Sequence, residues 1–165
     1  MAAFETKSFL KHDDYMTPKF AWENIKQYIP QDKVIWEAFY GDGNSGTHLQ
    51  DLGFNVIHEP IDFFDSDEGE IIVSNPPFSK VKEIMPRLEE LDKPFILLMP
   101  CSKICTQYFK PWKNKNIQII IPSKRINFIK KVEGVEPEDW PSHCNFDCFY
   151  YCYKMNLPSS IVWLE

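Results

Sequence analysis

The sequence predicts an α/β protein built on a mostly parallel central sheet flanked by helices. Two observations carry this. Its strand-like runs, VIW at 34–36, IIVS at 71–74, FILLMP at 95–100 and IQIIIP at 117–122, are apolar but for Ser74 and Gln118 and do not alternate, as expected of strands covered on both faces. They also take turns with helix-like stretches, the arrangement that parallel crossovers require. A length of 165 residues without repeat or linker composition fits one domain spanning 1–165.

Residues 1–13 are polar and mixed and read as a loose terminus. In MTPKFAWENIKQYIP, Thr17 is placed to cap a helix, Pro18 suits its first turn and Pro30 ends it. The strand at Val34–Trp36 runs into Glu37 and a glycine turn. SGTHLQDLG then reads as a helix closed by Gly53. FNVIHE is the next strand, ending at Glu59, and IDFF a short extended piece before an acidic loop at 65–70. After IIVS comes Asn75-Pro76-Pro77-Phe78. Ser79 is then the expected cap of a helix over KVKEIMPRLEELDK, with Pro86 disturbing its regular turns. FILLMP is a buried strand, CSKICTQYF a predicted helix, and IQIIIP a further strand. A loop carrying Arg125 and Phe128, an acidic turn at 133–139, an antiparallel aromatic strand over 146–153 and a last strand in IVWLE complete the chain.

The composition, 44% hydrophobic and 25% charged, is that of a soluble domain. No apolar run has the ~20 residues of a membrane helix and the N-terminus lacks a signal pattern, so the expected location is intracellular, cytoplasmic or within a host cell. Cys144, Cys148 and Cys152, with His143 beside them, raise the question of zinc. Their four-residue spacing falls on one face of a strand, where cysteine packs as a small hydrophobe, so no metal is expected. The net charge of −6 at first opposes a polyanionic partner. Yet Lys93 to Val132 contains nine cations and no acid, which marks one face for nucleic acid.

Ligands of such sheets bind at the carboxyl ends of strands, where strand order reverses. Three strand ends here carry polar punctuation: Glu37 with Gly41 and Gly43, Glu59 with Asp62, and Asn75-Pro76-Pro77-Phe78. They suit a nucleotide-like cofactor lying across adjacent strands. The glycine turn alone matches neither a dinucleotide fingerprint nor a phosphate loop.

Taken together, WEAFYGDG followed by NPPF, with YMTP ahead of both, resembles the S-adenosylmethionine-dependent methyltransferases that modify exocyclic amino groups, above all adenine N6. The order is that of the small forms from phages and large DNA viruses, and the likeness covers roughly residues 13–130. The resemblance implies a Rossmann-like methyltransferase fold without a separate target-recognition domain. It places Tyr15, Thr17 and Pro18 by the methionine end of the cofactor and Glu37 on its ammonium group, with Phe39, Gly41 and Gly43 in the loop beneath. Glu59 would hold the ribose and Asp62 the adenine amino group, with Phe63 beside the ring. The short interval between Glu59 and Asp62 departs from the pattern, as does Ala38 where relatives have proline. PSKRINF at 122–128 resembles the segment that contacts the flipped base: Phe128 as a stacking face, Arg125 and Lys124 toward phosphate.

The tetrapeptide has its own chemical logic. An exocyclic amine is a poor nucleophile because its lone pair is delocalised into the ring. Acceptors at its N–H bonds, here the Asn75 side-chain oxygen and the Pro76 carbonyl, would redirect that lone pair. The consecutive prolines hold both in place. Phe78 would stack on the base, which must be flipped or single-stranded to arrive. The expected activity is therefore N6-adenine methyl transfer on DNA, or on RNA. Guanine N2, a protein glutamine, or a non-catalytic subunit of an active relative stay open as alternatives, as do a homodimer or a partner subunit supplying specificity. Trp140, Ser142 and His143 occupy a loop that would also border the substrate.

Overall fold

The computed structural model describes residues 15–41, 43–142 and 146–165. The expected loose terminus, His143 and Cys144 lie outside the described residues. Among the described residues nine strands run β1 Tyr15–Met16, β2 Val34–Trp36, β3 Asn55–Ile57, β4 Ile71–Ser74, β5 Phe95–Pro100, β6 Gln118–Ile121, β7 Ile129–Lys130, β8 Cys148–Tyr153 and β9 Ile161–Trp163. Three α-helices join them: α1 Lys19–Glu23, α2 Asn44–Asp51 and α3 Val81–Leu91.

Seven strands form one sheet in the order β3-β2-β4-β5-β8-β6-β9, and β1 pairs separately with β7. All neighbours in the large sheet are parallel except at β8, which runs antiparallel to both β5 and β6. This is the Rossmann-like α/β arrangement expected from the sequence. The chain goes from β2 outward to β3, then returns past β2 to β4. The reversal point lies between β2 and β4, where α/β sheets open a crevice at their carboxyl edge.

Alternation along β5 shows why its sequence is apolar without pause. Ile96 and Leu98 enter one core with Trp22, Ile25, Leu49 and Tyr150, while Phe95, Leu97 and Met99 enter the other with Ile84, Met85, Leu88 and Trp112. Each such side chain, fully buried, contributes roughly 1.5–3 kcal/mol. The antiparallel β8 is bound to both sides by phenols: Tyr150 donates to the Ala21 carbonyl at 2.5 Å and Tyr151 to that of Pro100 at 2.7 Å. Burial raises both phenol pKa values beyond any physiological range. Cys148 and Cys152 share the first core, as their spacing predicted, and no cluster of metal-ligating side chains occurs among the described residues. Nor is any described helix long and apolar enough to cross a membrane.

Several elements depart from the sequence reading. The first helix stops at Glu23, and a 3-10 turn over Lys26–Tyr28 replaces its second half. Thr17 does not cap it: Pro18 stands at the cap position, without a side-chain hydrogen bond. Of the expected extended piece at 61–64, Asp62 keeps extended backbone but Phe63 and Phe64 do not. Asp62 turns the chain into a 3-10 turn at Phe63–Asp65 by accepting from the Phe64 N–H at 2.8 Å. Ser79 does not cap α3, because a 3-10 turn over Phe78–Lys80 leads straight into it and takes up that position. Pro86 lies inside the helix. The segment after β5 makes 3-10 turns at Cys101–Cys105 and Lys110–Trp112 rather than an α-helix, with Trp112 as its anchor in the core. The aromatic strand begins at Cys148, two residues later than the sequence indicated.

Candidate active site

The parallel register sets Trp36 opposite Ile72, so the ends of β2 and β4 emerge side by side. Glu37 follows β2 and is only 2% exposed. Its Oε1 accepts from the Phe39 N–H at 3.0 Å and from the hydroxyl of Ser74, the last residue of β4. A buried carboxylate is costly unless hydrogen bonds hold it, and these two fix its direction at the sheet edge. Ser74 was not singled out in the sequence. Its partner lies on a neighbouring strand, and only a pattern of small polar residues closing an apolar run hints at it.

Beyond Glu37 the chain makes a tight turn. Gly43 donates to the Tyr40 carbonyl at 2.8 Å and then begins α2, accepting from the Thr47 N–H and hydroxyl at 3.1 Å each. Gly41 and Gly43 both have positive φ, +58° and +84°. A Cβ on Gly43 would stand 2.9 Å from the Tyr40 hydroxyl, so the turn admits no side chain there. Tyr40 stacks on His58, 6.0 Å between ring centres, and the His58 ring in turn fills the space beside Gly46. His58, just after β3, keeps a buried Nδ1 without a hydrogen-bond partner. The sequence reading passed over it in favour of Glu59, which is exposed beside it.

Across the reversal point stands Asn75. Its Oδ1 is buried and accepts no hydrogen bond from the described residues. Pro76 and Pro77 are buried on its far side, and the Pro77 carbonyl accepts from the Lys80 N–H at 2.9 Å, starting the turn into α3. An unpaired buried acceptor costs about 1–3 kcal/mol. Native structures keep such groups rarely, and a functional site is one place that accounts for them; Trp36 Nε1 and Arg87 Nε are also unpaired among the described residues. Thr17 shows the same feature: it is buried, and its Oγ1 has no partner.

The N-terminal motif reaches this region through β1. Tyr15 pairs with Lys130 and Met16 with Ile129, which joins YMTP to the end of the segment carrying Arg125 and Phe128. Four rings meet there. Phe78 lies edge-on to Phe128 at 6.0 Å and to Phe146 at 5.5 Å, while Tyr15 approaches the same two rings at 6.5 and 5.7 Å. The Lys130 ammonium sits 5.6 Å from the Tyr15 ring centre. Phe146 is the member of this group that sequence analysis missed; it was read as part of a strand.

Three expected roles are altered by what surrounds the residues. Phe128 is fully buried, so it forms the floor of the aromatic group and presents no face to a base. Phe63 is fully buried too, packed on Phe39 at 4.7 Å and Trp36 at 5.6 Å, which makes it core rather than a neighbour of a bound ring. Arg125 forms a two-pronged ion pair with Asp147 at 2.8 and 3.1 Å, so its charge is answered within the protein. Lys124 beside it is exposed. Asp62 spends Oδ1 on its own turn. Trp140 donates to the carbonyls of Val132 and Val135, and Ser142 to that of Asn127, so both fasten their loop.

The fold is shared with a methyltransferase of known structure. The precorrin-6y C5,15-methyltransferase from Geobacter metallireducens GS-15 superposes with a TM-score of 0.50 at 12% identity, over 81% of this chain and 87% of that one. The tRNA (m1A58) methyltransferase TrmI from Aquifex aeolicus is a more distant likeness, with a TM-score of 0.41 at 17% identity, covering 83% of this chain and 69% of that one. No protein-family profile and no curated protein matches the sequence.

Proposed function

We propose that the protein is an S-adenosylmethionine-dependent methyltransferase acting on the N6 amino group of adenine in nucleic acid. The observation that carries the proposal is the unpaired Asn75 Oδ1 at the reversal point of the sheet. An acceptor held there without a donor suits a ligand that brings an N–H, and an exocyclic amine does so.

The residues at the neighbouring strand ends fit the cofactor. Glu37 is a buried anion directed by Ser74 and Phe39, suited to an ammonium group. The Thr17 hydroxyl lacks a partner, and the glycine turn leaves room where a side chain would strike Tyr40. S-adenosylmethionine, when bound, supplies an electrophilic methyl group on a sulfonium sulfur.

The protein's part is to hold and prepare the amine. Asn75 Oδ1 accepts one N–H, and the Pro76 carbonyl is positioned by the two prolines as the second acceptor. Hydrogen bonds from both N–H groups draw the nitrogen out of conjugation and turn its lone pair toward the methyl donor. Because the acceptors are fixed in advance, no reorganisation is needed during the reaction. The methylated nitrogen becomes acidic as its bond forms, and its proton leaves along these hydrogen bonds to water without a dedicated base. Phe78, half-buried and buttressed edge-on by Phe128 and Phe146, offers a ring for the base.

Nucleic acid is favoured as the carrier by Lys103, Lys110, Lys113, Lys124, Lys130 and Lys131, which have no acidic partner among the described residues. The test is incubation with labelled S-adenosylmethionine and unmethylated DNA or RNA, followed by identification of the modified nucleoside by mass. N6-methyladenine is expected. Asn75→Ala should lower kcat by about 10²–10³-fold, the usual effect of removing one preorganised hydrogen bond at a reacting group, with cofactor affinity retained. Methylguanine would exclude adenine as the target. Cofactor binding without transfer to either polymer would point to a non-catalytic role.

A further inference from the structure

Trp163 is 71% exposed, an unusual position for a residue that normally buries its large ring. It ends β9, where Val162 points into the core and Ile161 and Trp163 point outward. Because β9 runs parallel to β6, Trp163 emerges at the same carboxyl edge of the sheet as Glu37 and Asn75. Trp163 is among the residues lining a cleft of about 420 Å³, with Asn24, Gln27, Tyr28, Ser123, Leu164 and Glu165.

We infer that this cleft binds a nucleotide of the substrate strand that flanks the methylated base, with its base stacked on Trp163. The inference rests on the proposed reading of the substrate. Three features commit the site to a nucleotide. An exposed indole is a stacking platform that accepts any base. The side-chain amides of Asn24 and Gln27 and the Glu165 carboxylate are groups that read base edges, amides pairing with adenine and carboxylates with the cytosine amine. Lys26 precedes Gln27 and Lys124 follows Ser123 of the cleft lining, and both are exposed and without an acidic partner among the described residues, while Glu165 is the acid in the lining itself. A second copy of the chain would need an apolar centre, and beside Trp163, Tyr28 and Leu164 the lining consists of the polar Asn24, Gln27, Ser123 and Glu165.

The spacing is also suitable. Four strand intervals separate β4 from β9, about 19 Å at the usual interstrand distance. That equals roughly five or six stacked nucleotide steps, and fewer in an extended strand. Target adenine and flanking base can therefore belong to one short single strand.

The experiment compares methyl transfer to two single-stranded substrates, one with a single nucleotide on each side of the adenine and one with about eight. The wild-type protein should have the lower KM for the longer strand. Trp163→Ala should lose that length advantage, raising KM for the long substrate by roughly 5- to 100-fold, the range of base–aromatic stacking, with kcat unchanged. Trp163→Phe, which keeps a ring, should retain most of it. Equal KM ratios in wild type and Trp163→Ala would overturn the inference and leave the proposed activity standing. Absence of transfer to either strand by the wild type would overturn both. A change of sedimentation mass in Trp163→Ala would show that the ring meets a second copy, and would likewise overturn it.

Discussion

Glu37 and Asn75 stand on neighbouring strands with opposite hydrogen-bond conditions. The carboxylate is answered by Ser74 and Phe39, while the amide oxygen is left waiting. On the proposed reading, the difference separates a binding group fixed before ligand arrives from an acceptor whose partner would come with substrate. Ser74→Ala isolates the first role. It removes a donor to Glu37 Oε1, so stability should fall by about 1 kcal/mol and cofactor affinity several-fold, with kcat little changed. Chemical denaturation and titration calorimetry would check this. Asn75 was legible in the sequence because two prolines restrict it locally, whatever lies around them. The burial of Phe63 and Phe128 was not legible for the converse reason. An aromatic ring near a motif looks the same in sequence whether it faces a ligand or the core, and only packing against Trp36, Phe39 or Phe146 decides.

Among the elements, α2 and β3 meet where Gly46 faces His58. A Cβ on Gly46 would lie 2.2 Å from the His58 ring, and stacking on Tyr40 restrains that ring from yielding. Gly46→Ala should cost about 1–3 kcal/mol through overpacking. It should also weaken cofactor binding, because the displaced His58 pushes on the tyrosine that closes the glycine turn. Thermal unfolding and cofactor titration of this variant would show both effects together. The strands were legible because a run buried on both faces has a composition of its own. The 3-10 turns at 63–65, 78–80 and 101–105 were not. Such short turns depend on a single capping contact, such as Asp62 to Phe64, or on what precedes them, and they carry no periodicity.

For the molecule as a whole, the edge of the sheet opposite the candidate site is closed by a polar clasp. Asp92, at the left-handed end of α3, accepts from the Tyr153 hydroxyl and from the Lys154 ammonium at 2.9 Å, joining the helix to β8. The phenol first and the ammonium second hold its carboxyl below the ordinary value of 3.8. The same contact raises Tyr153 and Lys154 above 10.0 and 10.5. A depressed carboxyl contributes stability that is complete above its ordinary value and is lost as pH falls through the folded one. The two raised groups contribute below their ordinary values and lose it as pH climbs through the raised ones. Asp92→Asn should therefore lower Tm by a constant amount between about pH 5 and 9, and the gap to wild type should close below about pH 4. The cluster is exposed, so added salt should shrink the gap. A Tm gap that persisted into acid would refute the clasp.

The pairing of β1 with β7 has a consequence in time. Tyr15 and Lys130 are more than a hundred residues apart, and the strand that carries Tyr15 has no other strand partner among the described residues. Contacts of such sequence separation form late, since the loop between them must close first. During synthesis the sheet from β2 to β5 can assemble while Tyr15 still lacks its place. The aromatic group around Phe78 is completed only once the chain has been made past Phe146. A ribosome-bound fragment ending after β5 would thus hold Glu37, Asn75 and Phe78 on an assembled sheet edge, with Phe78 still lacking the edge-on support of Phe128 and Phe146.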